Sequence, residues 1–218
     1  MTRPQAFPRM LRVDSVLLRR RPRKSRKTGI RPSPVVYFLW MGKGIATCRA
    51  RRMRVYLGLG SNVGDRERHL ATALDALRGL AGVRLCRVSP CYETEPLGEV
   101  GQAAFLNLAA EIETEMAPLE LLRAVKGIER RLGRRETRRW GPREVDIDLI
   151  LCGDAVVETD VLTVPHKAFR KRAFVLAPLA DIAPDAVDPV TGRTVAELAR
   201  SPDAEGRVEK RGVIALTP

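Results

Sequence analysis

From Met53 onward the apolar residues switch repeatedly between the alternation of a strand and the 3.6-residue spacing of a helix, and the order of these segments limits the fold more than any other feature. Arg54–Leu59 reads as a strand ended by Gly60-Ser61-Asn62. Asp65–Leu80 reads as a helix, with Leu70, Ala73, Leu74 and Leu77 on one face and Ser61, Asn62 or Asp65 available to cap it. Val83–Tyr92 and Ala104–Glu113 read as a second and a third strand, joined by a Pro- and Gly-containing loop, Glu95–Gly101. Pro118 opens a second helix to Leu132, with Gly133 as its stop. A loop rich in Arg then leads into a fourth strand, Glu144–Cys152. The order β-α-β-β-α-β predicts an α+β fold: a ferredoxin-like antiparallel sheet with helices on one face. After Thr163 we expect further helix around Phe169–Ala180 and a short irregular tail.

This pattern is absent from residues 1–52, which hold 15 of the 39 Lys and Arg but only one of the 26 acids, Asp14. The formal net charge of +13 therefore belongs to this segment, and the rest of the chain is close to neutral. Runs such as RRRPRKSRK and RPSP carry no sustained period, so residues 1–52 are expected to be a disordered basic extension and 53–218 a single domain. A presequence, a basic nucleic-acid tail and upstream sequence included by too early a start all fit. The prolines interrupt an amphipathic presequence helix, and Met53 stands directly before the first strand, which favours the last. The longest apolar run, Val35–Met41, is too short to cross a bilayer. Cys48, Cys86, Cys91 and Cys152 form no CxxC pair, which predicts free thiols and a cytoplasmic setting.

Three clusters could carry chemistry. In Asp146-Ile147-Asp148 the two carboxylates share one strand face, about 7 Å apart, where they can bind magnesium; taken alone, a bare DxD is a weak signal and fits a solvated polar face better. Immediately before them, Arg130–Arg143 places seven arginines and Trp140. Guanidinium groups grip phosphate oxygens in pairs, so carboxylates beside such a clamp favour a nucleotide over a merely basic surface loop. The third cluster is Leu162-Thr163-Val164-Pro165-His166, followed by Arg170, Lys171 and Arg172. His69 lies on the polar side of the first helix and reads as structural. Gly58, Gly60 and Gly64 do not match a dinucleotide fingerprint, and a tight turn between strand and helix accounts for them.

Taken together, YLGLGSNVGDR, YETEPLG, FLNLA, IERRLGR, RWGPREVDIDLIL and LTVPH, in this order from about Arg54 to Pro184, resemble the hydroxymethyl-dihydropterin pyrophosphokinase family. The resemblance implies transfer of diphosphate from ATP to 6-hydroxymethyl-7,8-dihydropterin in tetrahydrofolate synthesis, with AMP as the other product. It implies two magnesium ions on Asp146 and Asp148. Arg134, Arg143 and Arg172 would be catalytic, and Glu129, Trp140 and His166 would join them in holding ATP. Thr94, Leu97, Phe105, Asn107 and Phe174 would bind the pterin, with Phe105 standing where relatives often carry Tyr. The loops Glu95–Gly101 and Gly133–Gly141 would close over ATP. Departures fall at Glu95, Glu136 and Val161, whose nucleotide contacts are not carried over. A monomer is expected, with no nucleic-acid or membrane partner. The alternatives are a ferredoxin-like nucleic-acid-binding module, against which the first and third strands lack an RNP-like pattern of aromatics, and a nucleotide-binding regulator without turnover.

Overall fold

The computed structural model describes residues 52–95, 103–133 and 143–215. Its centre is β1 (Met53–Ser61), flanked on one side by β4 (Phe105–Thr114) and on the other by β5 (Asp146–Cys152), antiparallel to both. Beyond β4 lie β2 (Val83–Val88) and β3 (Cys91–Thr94), each paired to it, and the last strand, β8 (Val208–Gly212), is added outside β3. The four-strand core therefore has the expected ferredoxin-like antiparallel order. A separate two-stranded ribbon pairs β6 (Val157–Glu158) with β7 (Thr163–Val164).

The helices sit on both faces rather than one. On the first face, Val55, Leu57, Leu59, Leu108, Ile112 and Ile147 meet α1 (Arg66–Arg78) and α2 (Pro118–Arg131). Leu70, Leu74 and Leu77 of α1 and Leu121, Val125 and Ile128 of α2 are fully buried there. Truncating any one of these, Leu74→Ala for instance, is expected to cost about 2–5 kcal/mol. Asp65 caps α1 by accepting the amide of Arg68 at 3.0 Å, and Gly133 follows α2 with a φ of +94°. On the opposite face Tyr56, Ala109 and Ile150 pack under α3 (Ala173–Ile182) and α4 (Val195–Ala199). β1 can be apolar on both sides because both are covered. This second layer also covers the sheet face on which a ferredoxin-like RNA binder would stack bases.

Three further expectations need correction. The single second strand is broken at Ser89-Pro90: proline has no amide to give, and Ser89 fills in, its Oγ accepting the amide of Ala109 at 2.9 Å while its own amide donates to Ala109 O at 2.9 Å. Past Thr163 the tail is not irregular but contains α4, closed by a Thr194–Glu197 capping box, and β8. Gly58 and Gly60 lie inside β1, not in a turn; only Gly64 takes a positive φ, +62°. Cys86, Cys91 and Cys152 are free as expected, and burial pushes the thiols of Cys91 and Cys152 up to about 11 and about 12; Cys48 lies outside the described residues. Among the described residues no helix is long and apolar enough to cross a membrane. Of the extension expected over residues 1–52, only Arg52 lies within the described residues.

Candidate active site

Strand register assembles the site. Gly60 of β1 is paired on one side with Asp146 of β5 and on the other with Asn107 of β4, which in turn pairs with Tyr92 of β3. Two residues along, Asp148, Gly58 and Ala109 form a parallel row. Ile147 and Leu149 go into the core with α1 and α2, so strand alternation turns Asp146 and Asp148 to the face that carries α3. Two strand spacings separate the aspartates from Asn107, about 10 Å. Between them β1 presents glycine. A Cβ on Gly60 would lie 2.8 Å from Asn107 Oδ1, and one on Gly58 would lie 3.3 Å from Ile150 Cδ1, so these glycines allow close approach.

The aspartate end is dense with charge. Arg143 Nη1 contacts Asp146 Oδ2, and Lys126 Nζ of α2 lies 3.6 Å from Asp146 Oδ1 and 3.9 Å from Asp148 Oδ1. Arg143 is itself anchored by Asn62, whose Oδ1 accepts the Arg143 amide at 2.8 Å and whose amide donates to Arg143 O at 3.1 Å. Glu129 is only 2% exposed and faces inward, accepting from the Ile147 amide and from Lys126 Nζ, each at 2.7 Å. Burial pushes its carboxyl above the ordinary range against the pull of Lys126. His166 follows β7 and hydrogen-bonds through its amide to Ile150 O at 3.0 Å, which keeps it beside β5. Burial lowers its pKa, against the opposing charge of Asp148; its Nδ1 has no hydrogen-bond partner among the described residues. Leu122, Lys126, Asp148, Thr163, His166 and Lys167 line an open cleft of about 290 Å³. Val161, 67% exposed on its rim, offers no charge there.

The other end is neutral. Asn107 Nδ2 donates to Thr94 Oγ1 at 2.8 Å, both residues being 6% exposed, and Phe105 is paired with Thr94. Their strand ends are braced by Arg66 of α1, whose Nη1 donates to Glu93 Oε1 at 2.8 Å and to Ala104 O at 2.6 Å. Arg211 of β8 holds the other Glu93 oxygen through Nε at 2.7 Å, and these two guanidinium groups keep the Glu93 carboxyl below its ordinary range. Phe174, in the first turn of α3, is half-buried, and the Arg172 guanidinium lies 5.5 Å from its ring centre. Of the residues expected from sequence, the structure thus brings Asp146, Asp148, Arg143, Glu129 and His166 together, and likewise Thr94, Phe105 and Asn107. Leu97, Arg134, Glu136 and Trp140 lie outside the described residues, as does most of each loop expected to close over ATP.

The family model of 7,8-dihydro-6-hydroxymethylpterin-pyrophosphokinase matches residues 56–184, from inside β1 to just past α3. The chain belongs to this family. A 2-amino-4-hydroxy-6-hydroxymethyldihydropteridine pyrophosphokinase of Methylorubrum extorquens is 47% identical over 158 residues, covering 72% of this chain and 99% of that protein. The folic acid synthesis protein fol1 of Schizosaccharomyces pombe is 46% identical over 65% of this chain, which spans only 19% of that longer protein. A crystal structure of Plasmodium falciparum HPPK-DHPS with pteroate superposes with a TM-score of 0.57 at 17% identity, over 71% of this chain and 45% of that one, a likeness of fold.

Sequence reasoning missed several residues of this candidate site. Lys126, Asn62 and Gly60 act through a tertiary neighbour: Lys126 on the aspartates, Asn62 on the Arg143 backbone, Gly60 under Asn107. Only the Lys126–Glu129 spacing, one helical turn, hinted at a pair. α4 and β8, and with them Arg211, lie beyond the family-matched segment.

Proposed function

We propose that this chain transfers the terminal diphosphate of ATP to the hydroxymethyl group of 6-hydroxymethyl-7,8-dihydropterin, releasing AMP. The observation that carries the reading is the register row Asp146–Gly60–Asn107. It sets a charged end and a neutral, hydrogen-bonding end about 10 Å apart across Gly60 of β1, a span suited to a triphosphate meeting a flat heterocycle.

Each end suits its half of the reaction. Thr94 and Asn107 offer polar groups to the edge of a pterin, and Phe105 and Phe174 offer faces for stacking. The cleft along Lys126, Thr163 and His166 would take the nucleoside, with Arg143 and Arg172 directed to phosphates. Asp146 and Asp148 fit magnesium: they offer hard oxygen ligands, and the ammonium and guanidinium groups of Lys126 and Arg143 already gather against them as cations. Magnesium commonly binds through one or two carboxylates and completes its shell with phosphate oxygens and water. Two such ions would neutralise charge on the transferring diphosphate. The pterin oxygen attacks the β-phosphorus, the bond to the α-phosphate oxygen breaks, AMP departs and the hydroxyl proton is released. The protein's part is in-line positioning and charge neutralisation by Arg143 and Arg172, with Arg134 and Trp140 joining from the Arg-rich loop. Glu129, already engaged by Ile147 and Lys126, would serve the nucleotide by holding β5 in place.

We further propose that residues 53–218 form the functional unit, a monomer active in the cytoplasm. Incubation with MgATP and the reduced pterin, followed by nucleotide chromatography, tests the reaction. AMP formed only when pterin is present supports it; ADP, or no turnover with nucleotide bound, would make the chain an ordinary kinase or a binding regulator.

A further inference from the structure

We propose that Lys126 is a built-in counter-ion for Asp146 and Asp148, which together with Glu129 grips the open edge of β5 and yields its place when a divalent ion enters. β5 is the outer strand of the sheet among the described residues, so its outward backbone groups have no neighbouring strand. At Ile147, the residue between the two aspartates, both groups are taken by α2: Glu129 Oε1 accepts the amide at 2.7 Å, and Lys126 Nζ donates to the carbonyl at 3.1 Å. One helical turn of α2 thus replaces a strand, and Lys126 and Glu129 are joined at 2.7 Å. This fixes the peptide whose flanking side chains carry the carboxylates.

The same ammonium has a second role. At 3.6 and 3.9 Å from one oxygen of each aspartate it is too far to hydrogen-bond well, yet it lies almost equally close to both as a point charge. Magnesium bound to those oxygens would sit about 2.0–2.1 Å from them, within a few ångströms of Nζ. Two cations that close repel, so the ammonium and the ion compete for one position. Lys126 can yield: its side chain is 35% exposed, lies on a flexible four-carbon stem and lines the cleft assigned to the nucleotide. Two carboxylates on one strand face would repel each other in the empty site, and Lys126 relieves that until the metal nucleotide arrives.

The inference rests on the aspartates being the metal ligands of the proposed reaction, and it is tested without turnover. Mn²⁺ binding to the nucleotide-free protein is followed by electron paramagnetic resonance for the wild type, Lys126→Met and Lys126→Gln. Removing one unit charge about 4 Å from a divalent ion should tighten Mn²⁺ binding by about thirtyfold in both variants, taking the effective dielectric of water because the ammonium can swing into solvent. Gln retains an amide donor for the Ile147 carbonyl, so it separates loss of charge from loss of the edge clamp, and circular dichroism verifies folding. Unchanged or weaker Mn²⁺ binding in a folded variant overturns the counter-ion role. The pterin-dependent AMP assay on the wild type is independent: AMP with no tightening sinks this inference alone, while tightening without AMP leaves it standing and removes the proposed reaction.

Discussion

The two ends of the row Asp146–Gly60–Asn107 are held by different physics. At the neutral end, Asn107 and Thr94 are almost fully buried and bonded to each other, so their geometry is set before any ligand arrives. At the charged end, Asp148 is 39% exposed, and cations of the chain itself occupy the positions beside the carboxylates. One end is preformed; the other is neutralised by groups that the ligand's own charges must rearrange. Burial explains the difference. A neutral amide and hydroxyl can be buried once they bond each other, whereas two carboxylates on one strand face need compensating charge and stay near water.

The largest expected effect breaks the charged end. Asp148→Asn keeps the size and removes the charge, and turnover should fall at least about a hundredfold, comparable to losing one electrostatic stabiliser of the transition state. Pterin binding measured without nucleotide should stay intact. Turnover within a few fold of wild type at equal magnesium would remove the metal assignment.

Stacking at the neutral end should matter less. Phe174→Ala is expected to weaken pterin binding by about 1–3 kcal/mol, by analogy with bases stacked on aromatic side chains, while ATP affinity changes little. Calorimetry with each ligand separately checks this, and equal losses for both would argue against a stacking role.

Gly60→Ala probes the floor between the two ends. The added Cβ meets Asn107 Oδ1 at 2.8 Å, so the amide must shift, at a cost of about 1–3 kcal/mol typical of overpacking. The pterin KM should rise while Mn²⁺ binding by nucleotide-free protein stays near wild type. A change in Mn²⁺ binding of the same size would show that the two ends are not separable. The smallest effect is expected from shortening the chain to Met53–Pro218, which should fold and retain full activity; failure to fold would move the domain boundary.

Much of this was legible before any coordinates. The strand–helix order is written in hydrophobic period, and the placement of Asp146 and Asp148 on one face follows from alternation along a single strand. The break at Ser89-Pro90 had a local signal in the proline, but its repair by the Ser89 hydroxyl needs Ala109, twenty residues away. β8 was not legible because Val208–Gly212 is mostly exposed and charged; what makes it a strand is the free edge of β3.

By itself, then, the sequence determined the strands and helices of the core, which residues face inward along each, and which side chains have the chemistry to hold phosphate or metal, because period and side-chain chemistry are local properties. Only the tertiary structure decided that Gly60 stands between Asp146 and Asn107, that α3 covers the second face, and that Lys126 sits between the aspartates. Register and the docking of α2 on the edge of β5 depend on contacts between residues far apart in the chain, and no local pattern encodes which partner a free backbone group or an unpaired charge will meet.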